Sequence, residues 1–286
     1  MLKRSLGKTG IAVSEIAFGG VEIGIPYGIG VHDHSDMLTH AEAIKLLHAS
    51  LEGGINFFDT ARLYGESETI MGKAFHDRRQ QVVLSTKCKH FRNEKGEIPS
   101  YNDLRKTVES SLAESLKELQ TDYVDVFMLH QADHEILENE NVSRIFSELK
   151  DSGMVRAIGA STYTTDETKQ AIESRIWNVI QLPFNLMDQR QEDFFDLAAI
   201  NGVGIVIRSV LLKGLLSDKG RGLHPALKDV PIALFSSNEE SVLSKMATAV
   251  GAIGYISKSE MAHGFAHQVQ RLLHQHRRRS LPPPGL

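Results

Sequence analysis

The chain has 286 residues, 41% hydrophobic and 24% charged, an ordinary balance for a globular protein able to bury a large core. At about 150 residues per domain two domains fit, and one α/β barrel of about 250 residues fits as well. The net charge of -4, from 32 basic and 36 acidic residues spread along most of the chain, offers no basic field to nucleic acid or to an anionic membrane. The segment from Met1 to Lys8 is basic, but no apolar run follows it. No stretch nears the roughly 20 apolar residues of a membrane span, so a cytoplasmic location is expected. Cys88 is the single cysteine, which excludes an intrachain disulfide, a thiolate zinc cluster and a CxxC redox pair.

Along the chain, short β-branched runs alternate with segments of helical period. The predicted strands are Ile16–Gly19, Ile55–Asp59, Val82–Lys87, Tyr123–His130, Val155–Ala160, Val179–Leu182 and Val203–Arg208. Ala43, Leu47 and Leu51 form a helical stripe that stops at Gly53-Gly54, where glycine takes the left-handed conformation without penalty. Leu104, Val108, Leu112, Leu116 and Leu119 line one face of a later helix. Thr164 and Glu167 fit a capping box that opens another.

Strands that recur about every 30 residues with helices between them imply parallel pairing with the helices outside. A doubly wound dinucleotide fold would carry G-x-G-x-x-G after its first strand; here Gly19-Gly20 is followed by Val21-Glu22-Ile23-Gly24, and the match fails. No Walker A pattern is present either. The expected fold is therefore a (β/α)8 TIM barrel, in which chemistry sits at the C-terminal strand ends.

Those ends collect Asp59, Lys87 and His130, with Tyr64 just past the second strand. Singly, each has a plain role: a helix cap, a solvated charge, a satisfied core imidazole, a packed ring with a wet hydroxyl. Together they suit acid catalysis on a carbonyl. A free phenol, with a pKa near 10, is a poor donor at pH 7, and the Lys87 ammonium would lower it. Asp59 would hold that lysine charged, and His130 would hydrogen-bond the substrate oxygen. None of the four supplies a hydride, so an organic cofactor is required.

The run Phe57-Phe58-Asp59-Thr60-Ala61-Arg62-Leu63-Tyr64-Gly65-Glu66-Ser67-Glu68, then Ser85-Thr86-Lys87 and Leu129-His130, resembles the catalytic signatures of the aldo-keto reductase superfamily. Gly153 to Ser161, Gln181 to Asp188 and Arg208 to Leu216 continue the resemblance in order, and it covers roughly residues 3 to 220. It implies a barrel that uses NADP(H), with NAD(H) possible, on a small carbonyl or sugar substrate. Tyr64 would be the general acid, Lys87 and Asp59 its pKa-lowering partners, and His130 the residue that orients the carbonyl. Ser161 and Gln181 would hold the nicotinamide carboxamide, while Ser209, Leu211, Gly214 and Leu215 belong to a loop whose backbone N–H groups would embrace the pyrophosphate. Gly20 is placed with the cofactor residues. Two positions depart from the usual pattern: Thr162 stands where the family has asparagine, and Arg208 where it often has an aromatic ring, its guanidinium able to stack on the nicotinamide instead. The form of Arg208 to Leu216 resembles a bacterial subgroup of sugar-related reductases.

His32, Asp33, His34, Asp36 and His40 look like metal ligands by type, but they fall in a long loop after the first strand, and no functional metal is expected there. That loop, with Val21 and Tyr27, would shape the substrate pocket, as would His90 and Phe91. Cys88 is read as a packed thiol. Beyond residue 220 the pattern fades: a helix at Glu239–Val250, an apolar run Ala252–Ile256 as a shortened eighth strand, and Lys258 and Ser259 at a helix N-terminus suited to the adenosine phosphate. The favoured reading there is a divergent or damaged terminus, because histidines crowd at 263, 267, 274 and 276 and an arginine and proline tail follows. One barrel domain over 1–276 and a disordered tail at 277–286 are expected. The alternatives to a reductase are a cofactor-binding protein without turnover and a metal-dependent barrel hydrolase.

Overall fold

The computed structural model describes residues 1–218 and the backbone of 233–236 and 254–257. Two compact units divide the chain. Met1–Tyr27, Val31–Pro183 and Arg190–Arg208 make the first, while Gly28–Gly30, Phe184–Gln189 and the described residues from Ser209 onward make the second.

The first unit opens with a hairpin, β1 (Lys3–Ser5) and β2 (Ala12–Ser14), paired antiparallel. Then follow β3 (Ala17–Gly19), the short α1 (Val21–Gly24), α2 (His40–Glu52), β4 (Phe57–Asp59), α3 (Ser67–Phe75), β5 (Val83–Lys87), α4 (Tyr101–Glu118) and β6 (Val124–Leu129). The unit continues through α5 (His134–Glu138), α6 (Glu140–Asp151), β7 (Val155–Ser161), α7 (Thr165–Glu173), β8 (Val179–Pro183), α8 (Phe194–Asn201) and β9 (Gly204–Arg208). Strands β3 to β9 form one parallel sheet in strictly consecutive order. The seven predicted strands are these seven, displaced by one or two residues at an end.

Local chemistry explains the helix ends. Thr39 and Glu42 form a capping box at α2, and Thr164 and Glu167 form the one expected at α7. At the end of α2 the left-handed residue is Gly54, at φ +96°, whereas Gly53 keeps a right-handed φ of -72°. The left-handed stop therefore falls on the second glycine of the pair.

Phe57 of β4, Val83 of β5, Val126 and Met128 of β6, Ala157 of β7, Val179 of β8 and Val206 of β9 belong to one packed core. Across a flat sheet β4 and β9 would lie about 24 Å apart at the usual 4.8 Å spacing. Side chains from both reach one core only because the sheet curls. Leu6, Ile11 and Val13 of the hairpin segment join that core. The hairpin sits at the N-terminal strand ends, where Ser14 N donates to Asn56 Oδ1 at 2.6 Å and Lys8 N to Gly202 O at 2.8 Å. Gly7 fits there only as glycine: its φ is +57°, and a Cβ would fall 2.4 Å from Gly204 N and 2.5 Å from Gly202 O. On the outer face, Leu104, Val108 and Leu112 of α4 are buried, and Phe146 of α6 stacks on Phe127 at 5.4 Å.

In the second unit, Ile29 N donates to Lys213 O at 2.9 Å. The strands β10 (Ala233–Ser236) and β11 (Gly254–Ser257) pair in parallel as a two-stranded sheet of their own. The expected apolar run at 252–256 thus contains a strand, but its partner is a strand the sequence pattern missed. The expected helix at Glu239–Val250, Lys258, Ser259, the histidine cluster and the tail at 277–286 lie outside the described residues. Among the described residues no helix is long and apolar enough to cross a membrane. The architecture is an α/β fold of the (β/α)8 barrel type, with the eighth unit incomplete among the described residues.

Candidate active site

Asp59 and Lys87 end adjacent strands β4 and β5, and His130 follows the last residue of β6. Lys87 is 1% exposed, and its Nζ donates to Asp59 Oδ2 at 2.6 Å and to Thr60 O at 2.9 Å. Burial lowers the lysine pKa, and the facing Asp59 carboxylate opposes that shift. Asp59 Oδ1 also accepts from Ser85 Oγ at 3.1 Å.

Tyr64 stands on the loop between β4 and α3. That loop is held by Arg62, which pairs with the buried Glu68 and reaches Glu114 at 3.0 Å, while Thr86 Oγ1 donates to Glu68 Oε1 at 2.5 Å. The Lys87 Nζ lies 5.0 Å from the Tyr64 ring centre. The Tyr64 ring meets His130 edge to face, with centres 5.5 Å apart and planes at 87°. The sequence therefore brought together four side chains that do converge.

The electrostatics differ from the expectation. Burial raises the Tyr64 pKa above the ordinary phenol value, and Asp59 raises it further; the positive charge acting against that is Arg208. The Lys87 ammonium is bonded to the Asp59 carboxylate, whose negative charge is the one felt at the phenol. Burial, joined by the charges of Lys87, His90 and Arg208, pushes the His130 imidazole down to about 3. Its Nδ1 is buried and has no hydrogen-bond partner among the described residues.

Ser161 of β7 and Gln181 of β8 stand opposite each other in the ladder, both 2% exposed. Among the described residues neither side chain has a hydrogen-bond partner. Their polar atoms are not among the sealed, unpartnered ones, so those ends stay open to a ligand. A hydroxyl beside an amide matches the donors and acceptors of another carboxamide, so these residues fit the nicotinamide expected from the resemblance.

Other expected cofactor residues are occupied differently. The Thr162 hydroxyl bonds Thr168 Oγ1 at 2.7 Å and so is not free for a carboxamide as asparagine would be. The Arg208 guanidinium stacks over Tyr163 at 4.2 Å, and its Nη2 donates to Thr162 O at 2.9 Å. One face expected to meet the nicotinamide is therefore taken by Tyr163, a residue the sequence pattern did not single out. Gly20 packs against the site, its N–H donating to Asp59 O at 2.8 Å, and a Cβ there would meet Ser67 Oγ at 2.6 Å. In the second unit Ser209, Leu212, Lys213 and Gly214 have positive φ. The N–H groups of Gly214, Leu215 and Leu216 bond carbonyls of their own loop.

His90, Phe91 and His130 share with Lys89, Arg92, Gln131, Asp133 and Ile136 the wall of a cavity of about 220 Å³. Phe91 is buried and His90 exposed. Val21 opens α1, and Tyr27 is a partly buried phenol whose pKa burial and Glu22 raise. In the loop after α1, Asp33 accepts from Ser35 N and Oγ, Asp36 accepts from His32 N at 2.8 Å, and His40 pairs with Glu66. These carboxylates hold local turns; among the described residues no group of three or more histidine, cysteine or acidic side chains is arranged to hold a metal ion. Burial pushes the Cys88 thiol up to about 12, the behaviour of a packed thiol.

A sequence profile described as the Aldo/keto reductase family matches residues 15–278, well past the residue 220 at which motifs become hard to read. The chain is 29% identical over 221 residues to an uncharacterized oxidoreductase, YqkF, of Bacillus subtilis, covering 77% of this chain and 68% of that one. It is 30% identical over 246 residues to L-galactose dehydrogenase of Arabidopsis thaliana, covering 80% and 72%. The holo structure of an aldo-keto reductase from Bacillus halodurans superimposes with a TM-score of 0.64 at 25% identity, over 100% of this chain and 93% of that one. With a family match over most of its length and a barrel sheet to carry it, the chain belongs to the aldo/keto reductase family and is an NAD(P)-dependent oxidoreductase of the carbonyl-reducing type.

Proposed function

We propose that the chain reduces a small polar aldehyde, ketone or aldose to its alcohol in the cytoplasm, with NADPH as donor and NADH accepted. The observation that carries this reading is the Tyr64–His130 edge contact beside the Lys87–Asp59 pair, an acid and a hydrogen-bond donor meeting at one point. A reduced nicotinamide supplies the hydride when bound, and Ser161 and Gln181 are the residues that hold its carboxamide. Tyr64 gives its hydroxyl proton to the carbonyl oxygen, for which burial and Asp59 keep it in the protonated form at neutral pH. His130, kept neutral by burial, donates its single proton from Nε2 to the same oxygen. A bare Nδ1 agrees with the absence of any partner beside it. Asp59 and Lys87 fix the floor under the phenol.

Val21, Tyr27, His90 and Phe91 form the substrate wall in this reading. The polar side chains around the cavity, Lys89, His90, Arg92, Gln131 and Asp133, favour a hydroxylated substrate over a greasy one. The relative that is an L-galactose dehydrogenase supports the same class. On the sequence match alone, Ser209, Leu211, Gly214 and Leu215 are assigned to the pyrophosphate, and Lys258 and Ser259 to the adenosine phosphate. The test is Tyr64→Phe, followed by NADPH consumption on a panel of aldehydes and aldoses. Turnover is expected to fall by about two to four orders of magnitude with NADPH affinity unchanged. Normal turnover in that variant would discard the reading.

A further inference from the structure

The His130 imidazole carries a role that depends on orientation, yet its own anchoring is unusual. A functional histidine is normally held by a hydrogen bond from its second ring nitrogen to a carboxylate or a carbonyl, which fixes both the ring plane and the tautomer. Here Nδ1 is buried with no partner among the described residues, which supply no such anchor. Two rings hold His130 instead. Tyr64 meets it edge to face, and on the other contact His90 stacks with it, centres 5.1 Å apart and planes inclined by 27°. That separation lies in the range of favourable offset stacking. His90 is three residues past Lys87, on the segment leaving β5, and it is exposed apart from this contact and the shared cavity wall. The segment is fixed in turn: Lys89 Nζ bonds Glu114 at 2.5 Å, and Arg92 Nη2 reaches Asp133 Oδ2 at 2.7 Å.

We propose that His90 is a positioning residue for His130: its ring takes the place of the missing hydrogen bond and holds the imidazole with Nε2 toward the substrate oxygen. The role rests on His130 acting in the reaction as set out above. What the site requires at position 90 is a flat ring of the right size, not a proton donor. Phenylalanine fills that requirement and alanine does not.

The experiment compares His90→Ala, His90→Phe and His130→Gln, using steady-state rates with NADPH and a small aldehyde and the imidazole nitrogen NMR spectrum of full-length protein. In His90→Ala, kcat is expected to drop about 10-fold, the scale of a catalytic group left loosely placed, with KM for NADPH unchanged. The His130 nitrogen signals should change from one sharp tautomer to a broadened or mixed set. His90→Phe should restore both kcat and the single tautomer. An unchanged His130 spectrum in His90→Ala, or a His90→Phe variant as defective as His90→Ala, overturns the proposal. The spectrum decides it independently of activity: if His130→Gln leaves kcat intact, the catalytic role of His130 falls, while the tautomer comparison still decides what His90 does.

Discussion

The strand ends β4 to β6 and the strand ends β7 and β8 are prepared in opposite ways. At the first, Asp59 and Lys87 are bonded to each other, and Tyr64 and His130 are packed edge to face. At the second, Ser161 and Gln181 are buried side by side and bonded to nothing among the described residues. The difference follows from charge. A buried ion without a counter-ion is far more costly than a buried hydroxyl or amide without a partner, so ionic groups must be satisfied in the free protein while neutral ones can wait for a ligand. In the proposed reading one side of the site is a finished catalytic floor and the other a receptor for the cofactor.

That contrast breaks most visibly at the ion pair. Lys87→Met leaves Asp59 without its counter-ion, and both turnover and fold should suffer: about 100-fold in kcat and about 3 kcal/mol in denaturant stability. Adding Asp59→Asn should return much of the stability and none of the turnover. A Lys87→Met protein as stable as the parent in urea would show that the pair is not needed by the fold. On the receptor side, Gln181→Ala should weaken NADPH about 10-fold, roughly 1.4 kcal/mol, by fluorescence titration. Its thermal midpoint should stay near that of the parent, because no hydrogen bond to another described residue is lost. Equal losses of affinity and stability would erase the distinction between the two sides.

The pH dependence sharpens the comparison with smaller effects. Tyr64, with its pKa raised by burial and Asp59, is protonated at neutral pH, so carbonyl reduction should persist into the alkaline range. Alcohol oxidation needs the phenolate and should climb with pH over the same interval. Parallel pH profiles in the two directions would contradict this assignment. His130, pushed down to about 3, stays neutral above about pH 4. Its NMR shifts should be flat between about pH 5 and pH 8, and a titration in that window would place a charge where the reading needs none.

Most of the sheet strands were legible because they are largely buried and read as short apolar runs, whereas β3 has no fully buried residue. β6, Val124–Leu129, is buried at every position. The hairpin β1–β2 was not legible: three residues per strand are too few to show a period of two, and its meaning lies in contacts with β9 far along the chain. The candidate set could be read because Asp59 and Lys87 end strands, His130 directly follows one and Tyr64 lies in the loop just past β4. What could not be read was how the charges share one another. In one dimension Lys87, Asp59 and Tyr64 are three separate charges or donors; in the fold Lys87 Nζ is 2.6 Å from Asp59 Oδ2 and 5.0 Å from the Tyr64 ring centre, and burial with Asp59 raises the phenol pKa. Arg208 looks free to stack on a ligand until Tyr163, 45 positions earlier at the end of a different strand, is found beneath it. The loop after β9 has the expected glycine, and several of its N–H groups, those of Leu212, Gly214, Leu215 and Leu216, close turns within the loop, which one dimension does not show.

The abutment of Gly7 on Gly202 and Gly204 has a consequence for the order in which the chain acquires its structure. Loop-closure entropy makes contacts between distant segments late events, and this one joins the first strands described to the last strand of the sheet. During synthesis Leu6, Ile11 and Val13 leave the ribosome early, but the surface that covers them is complete only when Gly202 to Val206 have followed. Until then three apolar side chains are held in a strand pair with an uncovered face, which is the kind of surface that associates with other nascent chains. A side chain at Gly7 would leave every catalytic residue in place and prolong that exposed interval, so its penalty would appear in the yield of folded protein before it appeared in the rate of the enzyme.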